Sequence, residues 1–302
     1  MKTIVVGLGV QGHKRVKVAK NDLVCTVDPL NPKADYKSIK DVPINSFDTA
    51  IICVPELQKK NIIKYCLDYK KNILIEKPLI TSNYSEFDSY EKISNSKKIF
   101  SYVAYNHRFE PNIIKLKKYL KLNKIGKIYS CRMFYGNGTA ELVKKSSWRD
   151  NGKGVLFDLG SHLVDLLIFL FNINDKTKFE LIKVLNNENK SPDHAIFISK
   201  KNNPLIELEM SLCSWKNEFK VDIIGSKGSL HINNLCKWGN SKFIYRKRIF
   251  PSGKPIEKIS TIKYGDITWE KEYRYFKKMI KNRNKTSFKK DKVIQKILMS
   301  QK

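Results

Sequence analysis

The sequence predicts an α/β protein in two parts: a doubly wound parallel sheet, then an α+β domain with a largely antiparallel open sheet. Three observations carry this. The first part of the chain alternates short apolar, β-branched runs with segments of helical spacing, the pattern of parallel βαβ units. Its first strand runs straight into a glycine-rich turn. After about residue 107 the alternation stops, and one buried helix is followed by a series of strand-like runs.

In order, Thr3 to Val6 is a strand, Gly7-Leu8-Gly9-Val10-Gln11-Gly12 a turn, and the basic segment to Lys20 a helix. Leu23 to Val27 is the second strand, ending at Asp28-Pro29, and Ala50 to Val54 the third. Ile62 to Tyr69 has helical spacing, and Ile73-Leu74-Ile75 is a strand ending at Glu76-Lys77-Pro78. Phe87 to Ile93 is helical, and Ile99 to Ala104 is a fifth strand. In the second part, Pro111 to Leu122 and Val155 to Phe171 are helices and Lys127 to Tyr135 is a strand. Strands follow at His194–Ser199, Ile206–Cys213, Phe219–Ile224, Ser229–Ile232, Phe243–Phe250 and Ile256–Ile262. Trp269 to Lys281 and Val293 to Met299 close the chain as helices, with a basic, loop-like stretch between them. The expected domains are residues 1–107 and 108–302.

A length of 302 residues accommodates two cores, and 41% hydrophobic with 29% charged residues is the balance of a soluble globular protein. The longest apolar stretch, Val155 to Phe171, contains Asp158, His162 and Asp165. Those groups are too costly in lipid, so no membrane span is expected. The amino terminus has no basic segment leading into a long apolar region, and the expected location is the cytoplasm. Six cysteines lie far apart without a CxxC pair, several inside apolar runs. They read as buried thiols, and no metal site is expected. The net charge of +29 arises from lysine spread along the whole chain, so it does not mark a nucleic-acid surface. It does favour anionic small molecules.

The glycine turn follows a strand and opens a helix, the context in which GxGxxG is informative. Gly7 permits the tight turn, Gly9 lets backbone approach a pyrophosphate, and Gly12 allows close helix packing, as in a Rossmann domain. With Val10 and Gln11 they are the candidate phosphate site at a helix amino terminus. Asp28 lies 21 residues after Gly7 at the end of the second strand. A carboxylate there accepts from ribose hydroxyls and repels a 2′-phosphate, so NAD is expected in preference to NADP. In the second part Asp158, His162 and Asp165 occupy a stripe about 60° wide on an otherwise apolar helix, at ~100° per residue. Such a stripe must be paired or line a cleft.

The ordered set of Gly7/Gly9/Gly12, Asp28, Glu76-Lys77-Pro78 and Asp158-x-x-x-His162 resembles the Gfo/Idh/MocA oxidoreductases. Trp148-Arg149 and Ile224-Gly225-Ser226-Lys227-Gly228 extend the likeness over nearly the whole chain. The resemblance implies an NAD-dependent enzyme that moves a hydride between nicotinamide and a ring hydroxyl or ketone of a sugar. It makes His162 the general acid/base, Lys77 the lysine that polarises the reacting hydroxyl, and Asp158 its assistant at the substrate. It places Val54, Glu76, Lys77, Asn106, Trp148 and Arg149 along the cofactor, and implies a homo-oligomer, dimer or tetramer, built on the open sheet. A nucleotide-linked hexose or hexuronate is the expected substrate, with a cyclitol or free sugar as the alternative. A non-catalytic NAD-binding sensor is the reading of another class, and it predicts loss of the polar set that is present here. The chain departs from the pattern at Val54-Pro55-Glu56-Leu57-Gln58-Lys59, which lacks the usual Asn and His, and at Lys153, which interrupts a glycine-rich approach to the catalytic helix.

Overall fold

The computed structural model describes residues 1–146, 149–200 and 204–299. These form two compact units, Met1–Asn106 with Trp269–Lys292, and His107–Thr268 with the residues from Val293 onward.

The first unit is built on strands β1 (Thr3–Val6), β2 (Leu23–Val27), β3 (Thr49–Ile52), β4 (Asn72–Glu76) and β5 (Ser101–Ala104), with helices α1 (Val10–Ala19), α2 (Glu56–Asp68) and α3 (Ser85–Ser96). The strands pair in the order β2-β1-β3-β4-β5, all parallel. β1, β3 and β5 are buried at every residue. That is why they are near-continuous apolar runs, as in a sheet covered on both faces. The register sets Val6 beside both Val27 and Ile52, and Ile52 beside Ile75. The glycine turn, Asp28, Val54 and Lys77 therefore all follow the same edge of the sheet. The order reverses between β1 and β3, and ligands of open α/β sheets bind at such switch points.

The second unit holds α4 (Pro111–Lys121), β6 (Ile128–Gly136), α5 (Ala140–Lys144), α6 (Ser161–Phe171) and β7 (Phe179–Leu185). It continues with β8 (His194–Ser199), β9 (Leu205–Ser211), β10 (Glu218–Gly225), β11 (Gly228–Asn233), β12 (Ser241–Lys247) and β13 (Ile256–Ile262). The sheet order is β13-β12-β11-β10-β6-β9-β8-β7. Neighbours are antiparallel except β6 and β9. Alternation sends Cys131, Met133 and Tyr135 of β6 to one face, opposite Phe219, Val221 and Ile223 of β10 and Ile206, Leu208 and Met210 of β9. All nine are buried. The other face carries Arg132, paired with Glu207 and Glu209. The expected fold class is thus the observed one.

The two last helices are α7 (Thr268–Lys281) and α8 (Lys289–Met299). The sequence reading assigns everything after residue 107 to the second domain, whereas α7 and the segment after it pack in the first unit. Tyr273 and Phe276 join Val5, Ile51, Leu74 and Phe100 in one buried cluster. Tyr273 also shares a hydrogen bond with Thr3 (3.1 Å). In the basic stretch between the helices, Phe288 is buried against the rings of Phe87 and Tyr90. Two apolar side chains on one helical stripe outweigh the surrounding lysines in deciding where this segment lies. Among the described residues no helix is long and apolar enough to cross a membrane.

Candidate active site

At the nucleotide end, Gly7 has φ +94°, and a Cβ there would stand 2.7 Å from the Cys53 carbonyl oxygen. A Cβ on Gly12 would lie 1.8 Å from the Gly7 oxygen, so α1 packs on its own turn only as glycine. A Cβ on Gly9 would meet nothing within 4 Å; the backbone there faces open space. α1 starts at Val10 without a side-chain cap and without an acidic residue in its first turn. Its leading N–H groups and positive dipole end suit a pyrophosphate. Val10 and Gln11 are exposed on that first turn. Val54 is half-buried, and its methyl would be 3.0 Å from a Cβ on Gly7. These residues fit the cradle of a dinucleotide.

Asp28 accepts from the backbone N–H of Leu8 (2.7 Å) within the turn, and from Leu30 (2.8 Å) and Asn31 (2.9 Å). Burial opposes its ionisation, but those N–H bonds outweigh burial and hold the carboxyl below the usual range. One carboxylate thus ties the glycine turn to the end of β2. It still keeps acceptor capacity for a further donor, since a carboxylate offers about four lone-pair sites.

Glu76 ends β4, and its carboxylate is buried in an ion pair with Arg15 of α1 (Nε–Oε1 2.5 Å). Arg15 also binds Glu272 of α7 (2.7 Å) and lies over the Trp269 ring. Lys77 is half-buried and leads into a cis Lys77–Pro78 bond. Asn106 is buried after β5.

In the second unit the expected single helix from Val155 is two pieces. Leu156–Gly160 is a π-helical turn that precedes α6. The wider turn breaks the 100° spacing on which the acidic stripe was drawn, and such turns recur at functional sites. Asp158 and Asp165 accordingly take different partners: Asp158 pairs with Arg149 (3.2 Å), and Asp165, buried, with Arg108 (2.6 Å). Gly160 lets the turn approach β9, where a Cβ would lie 2.8 Å from the Met210 sulfur.

His162 is 7% exposed. Its ring stacks on His107 with centroids 3.9 Å apart and planes 19° apart. Tyr135 packs beside both imidazoles, at 5.4 Å from His107 and 6.0 Å from His162. Lys237 Nζ lies 3.2 Å from His107 Nε2 and 4.5 Å over the Trp238 ring. Burial pushes the Tyr135 phenol up, and the charges of Asp158 and Asp266 add to it. Tyr135 therefore stays a neutral hydroxyl at physiological pH.

Of the expected residues, Gly7, Gly9, Val10, Gln11, Gly12, Asp28 and Val54 come together around one turn, and Arg149 with Asp158 forms a pair. Trp148 lies outside the described residues. His107, Tyr135, Lys237 and Trp238 were not singled out. His107 directly follows Asn106 after the fifth strand, while Lys237 and Trp238 carry no motif.

Residues 1–105 match the model of an oxidoreductase family's NAD-binding Rossmann fold. Residues 117–287 match the model of the same family's C-terminal α/β domain. The chain belongs to the Gfo/Idh/MocA oxidoreductases. Among curated relatives, glucose-6-phosphate 3-dehydrogenase of Bacillus subtilis is 24% identical over 208 residues, 63% of this chain and 59% of that protein. The scyllo-inositol 2-dehydrogenase (NAD(+)) of the same organism is 25% identical over 264 residues, 78% of this chain and 74% of the relative. The solved complex of levoglucosan dehydrogenase with NADH superposes with a TM-score of 0.80 at 18% identity, covering 99% of this chain and 95% of that one. That likeness shows a shared fold. The chain spans less than two thirds of the length of the first of these relatives.

Proposed function

We propose that this protein is an NAD-dependent oxidoreductase acting on a ring hydroxyl or ketone of a sugar or cyclitol. The observation that carries the reading is His162, buried and stacked on His107 at the start of α6. It does so in a chain whose first unit is the family's NAD-binding fold.

Oxidising a secondary alcohol requires the hydroxyl proton to leave with the hydride. A bound nicotinamide would supply the hydride acceptor. His162 accepts the proton in one direction and returns it in the other, since imidazole titrates in the working pH range. Lys77 supplies an ammonium for the developing alkoxide, and Asp158, oriented by Arg149, assists at the substrate. The glycine turn and Asp28 hold the dinucleotide, and the carboxylate of Asp28 disfavours a 2′-phosphate. Glu76 acts through its buried pair with Arg15, while Asn106, Trp148 and Arg149 belong to the nicotinamide end. Residues up to 107, with α7 packed in their unit, provide most of the cofactor site, and the second domain serves substrate and assembly. The outward sheet face, with Phe134, Ile196, Ile198 and Ile224 among its charges, suits a second copy of the chain in a dimer or tetramer.

Relatives are named for glucose 6-phosphate and scyllo-inositol. A nucleotide-linked hexose or hexuronate is the substrate we put first, because the net charge of +29 attracts anions. The test is a panel of nucleotide sugars, sugar phosphates, free sugars and inositols with NAD and with NADP, followed by absorbance of the reduced nicotinamide. Turnover with a sugar or cyclitol and preference for NAD are expected. Tight NAD binding with no turnover across the panel would replace this reading by a non-catalytic sensor.

A further inference from the structure

Most lysines are solvated, yet Lys59 of α2 is only 3% exposed. Its ammonium has three donors, and three acceptors surround it. They are the carbonyl of Glu76 (2.5 Å), the carbonyl of Pro78 (2.6 Å) and the carboxylate of Glu56. The two carbonyls belong to the residues on either side of Lys77. The other oxygen of Glu56 accepts from the N–H of Ile80 (3.1 Å). Buried Lys59 and half-buried Glu56 on α2 thus hold positions 76, 78 and 80, and Arg15 holds the Glu76 side chain from α1.

We propose that Lys59, with Glu56, is a positioning residue for Lys77: it pins the backbone on both sides of that lysine and so fixes where its ammonium is presented. A buried ion pair is weak evidence of stabilisation, because desolvation costs several kcal/mol per ion and apolar residues serve packing as well. What an apolar residue cannot do is grip two carbonyls that point at one spot. The pair lies in the loop-to-helix segment where the usual Asn and His are missing. The charge of Lys77 acts on Glu56 as well, so the pair and Lys77 are electrostatically linked.

The inference rests on the catalytic role proposed for Lys77, and the test separates the two. The variants are Lys59→Met, Lys59→Arg, Glu56→Gln and Lys77→Ala in the full chain. The first readout needs no substrate: competitive acetylation with acetic anhydride, read peptide by peptide by mass spectrometry. In Lys59→Met the labelling rate of Lys77 relative to other lysines is expected to change at least about threefold, with faster amide exchange at Leu79 and Ile80. Lys59→Arg should restore much of both. If Lys59 only anchored α2, exchange would rise along the helix while Lys77 labelling stayed unchanged, and the proposal would fall. With a substrate from the panel, Lys59→Met should lower kcat ~10–100-fold, the scale of a misplacement near 1 Å, with KM and NAD affinity nearly unchanged. In the Lys77→Ala background Lys59→Met should cost nothing more; an additive loss there contradicts it. Should Lys59→Met fail to fold, Glu56→Gln, which keeps an acceptor for Ile80, is expected to shift Lys77 labelling in the same direction. Full activity of Lys77→Ala would remove the catalytic reading of Lys77 while leaving the labelling result standing.

Discussion

Glu272 of α7 is fully buried beside Arg15, which it shares with Glu76. Burial raises its carboxyl from the ordinary 4.5 to about 7; the pull of Arg15 offsets this only in part, and the negative charge of Glu76 adds to the rise. The sign follows from linkage. Between pH 4.5 and 7 the unfolded chain releases this proton and the folded chain retains it, so stability falls as pH rises and levels off above 7. At 1.36 kcal/mol per pKa unit the loss amounts to about 3 kcal/mol. Glu272→Gln keeps an acceptor for Arg15 and removes the titration. Urea unfolding followed by circular dichroism should show the variant gaining on the wild type from pH 4.5 upward, by as much as about 3 kcal/mol near pH 8. A difference between the two proteins that stays constant across this range would refute the assignment of a raised carboxyl to the Arg15 cluster.

Phe276 is wholly buried among the first unit's apolar residues. Phe276→Ala should cost ~3–5 kcal/mol in urea unfolding and weaken NADH binding with it, whereas a helix serving only the second unit would leave NADH binding unchanged. Gly12→Ala drives a methyl to 1.8 Å from the Gly7 oxygen. It should abolish NADH binding measured by fluorescence, while Gly9→Ala, which meets nothing within 4 Å of its own chain, should fold normally and lose affinity only through the cofactor.

Much of this was legible in the residues because period and burial agree. β1, β3 and β5 are buried throughout and so are mostly apolar after a first Thr or Ser. The glycine turn is legible because sterics forbid any other residue at Gly7 and Gly12. β7 was missed because it is a sheet edge with Glu180, Lys183 and an exposed Ile182 in mixed order. The π turn is not legible because nothing in Leu156–Gly160 separates it by pattern from the α-helix that follows, and the close contact of Gly160 with Met210 is long-range. The return of α7 depends on what Tyr273 and Phe276 find to pack against, which local sequence does not encode. For the same reason Lys237 and Trp238, far from α6 in the chain, gave no sign of lying beside the stacked histidines. Motifs persist where one residue type is obligatory; neighbourhoods assembled by tertiary packing leave little trace.

The central claim is that His162 carries the proton of a hydride transfer that the glycine turn and Asp28 make possible. The direct measurement uses the active member of the substrate panel carrying deuterium on the oxidised carbon. The wild type should deliver that deuterium to C4 of the nicotinamide, and His162→Ala should bind NAD with nearly unchanged affinity while delivering it at least ~100-fold more slowly. Transfer at the wild-type rate in His162→Ala would contradict the account.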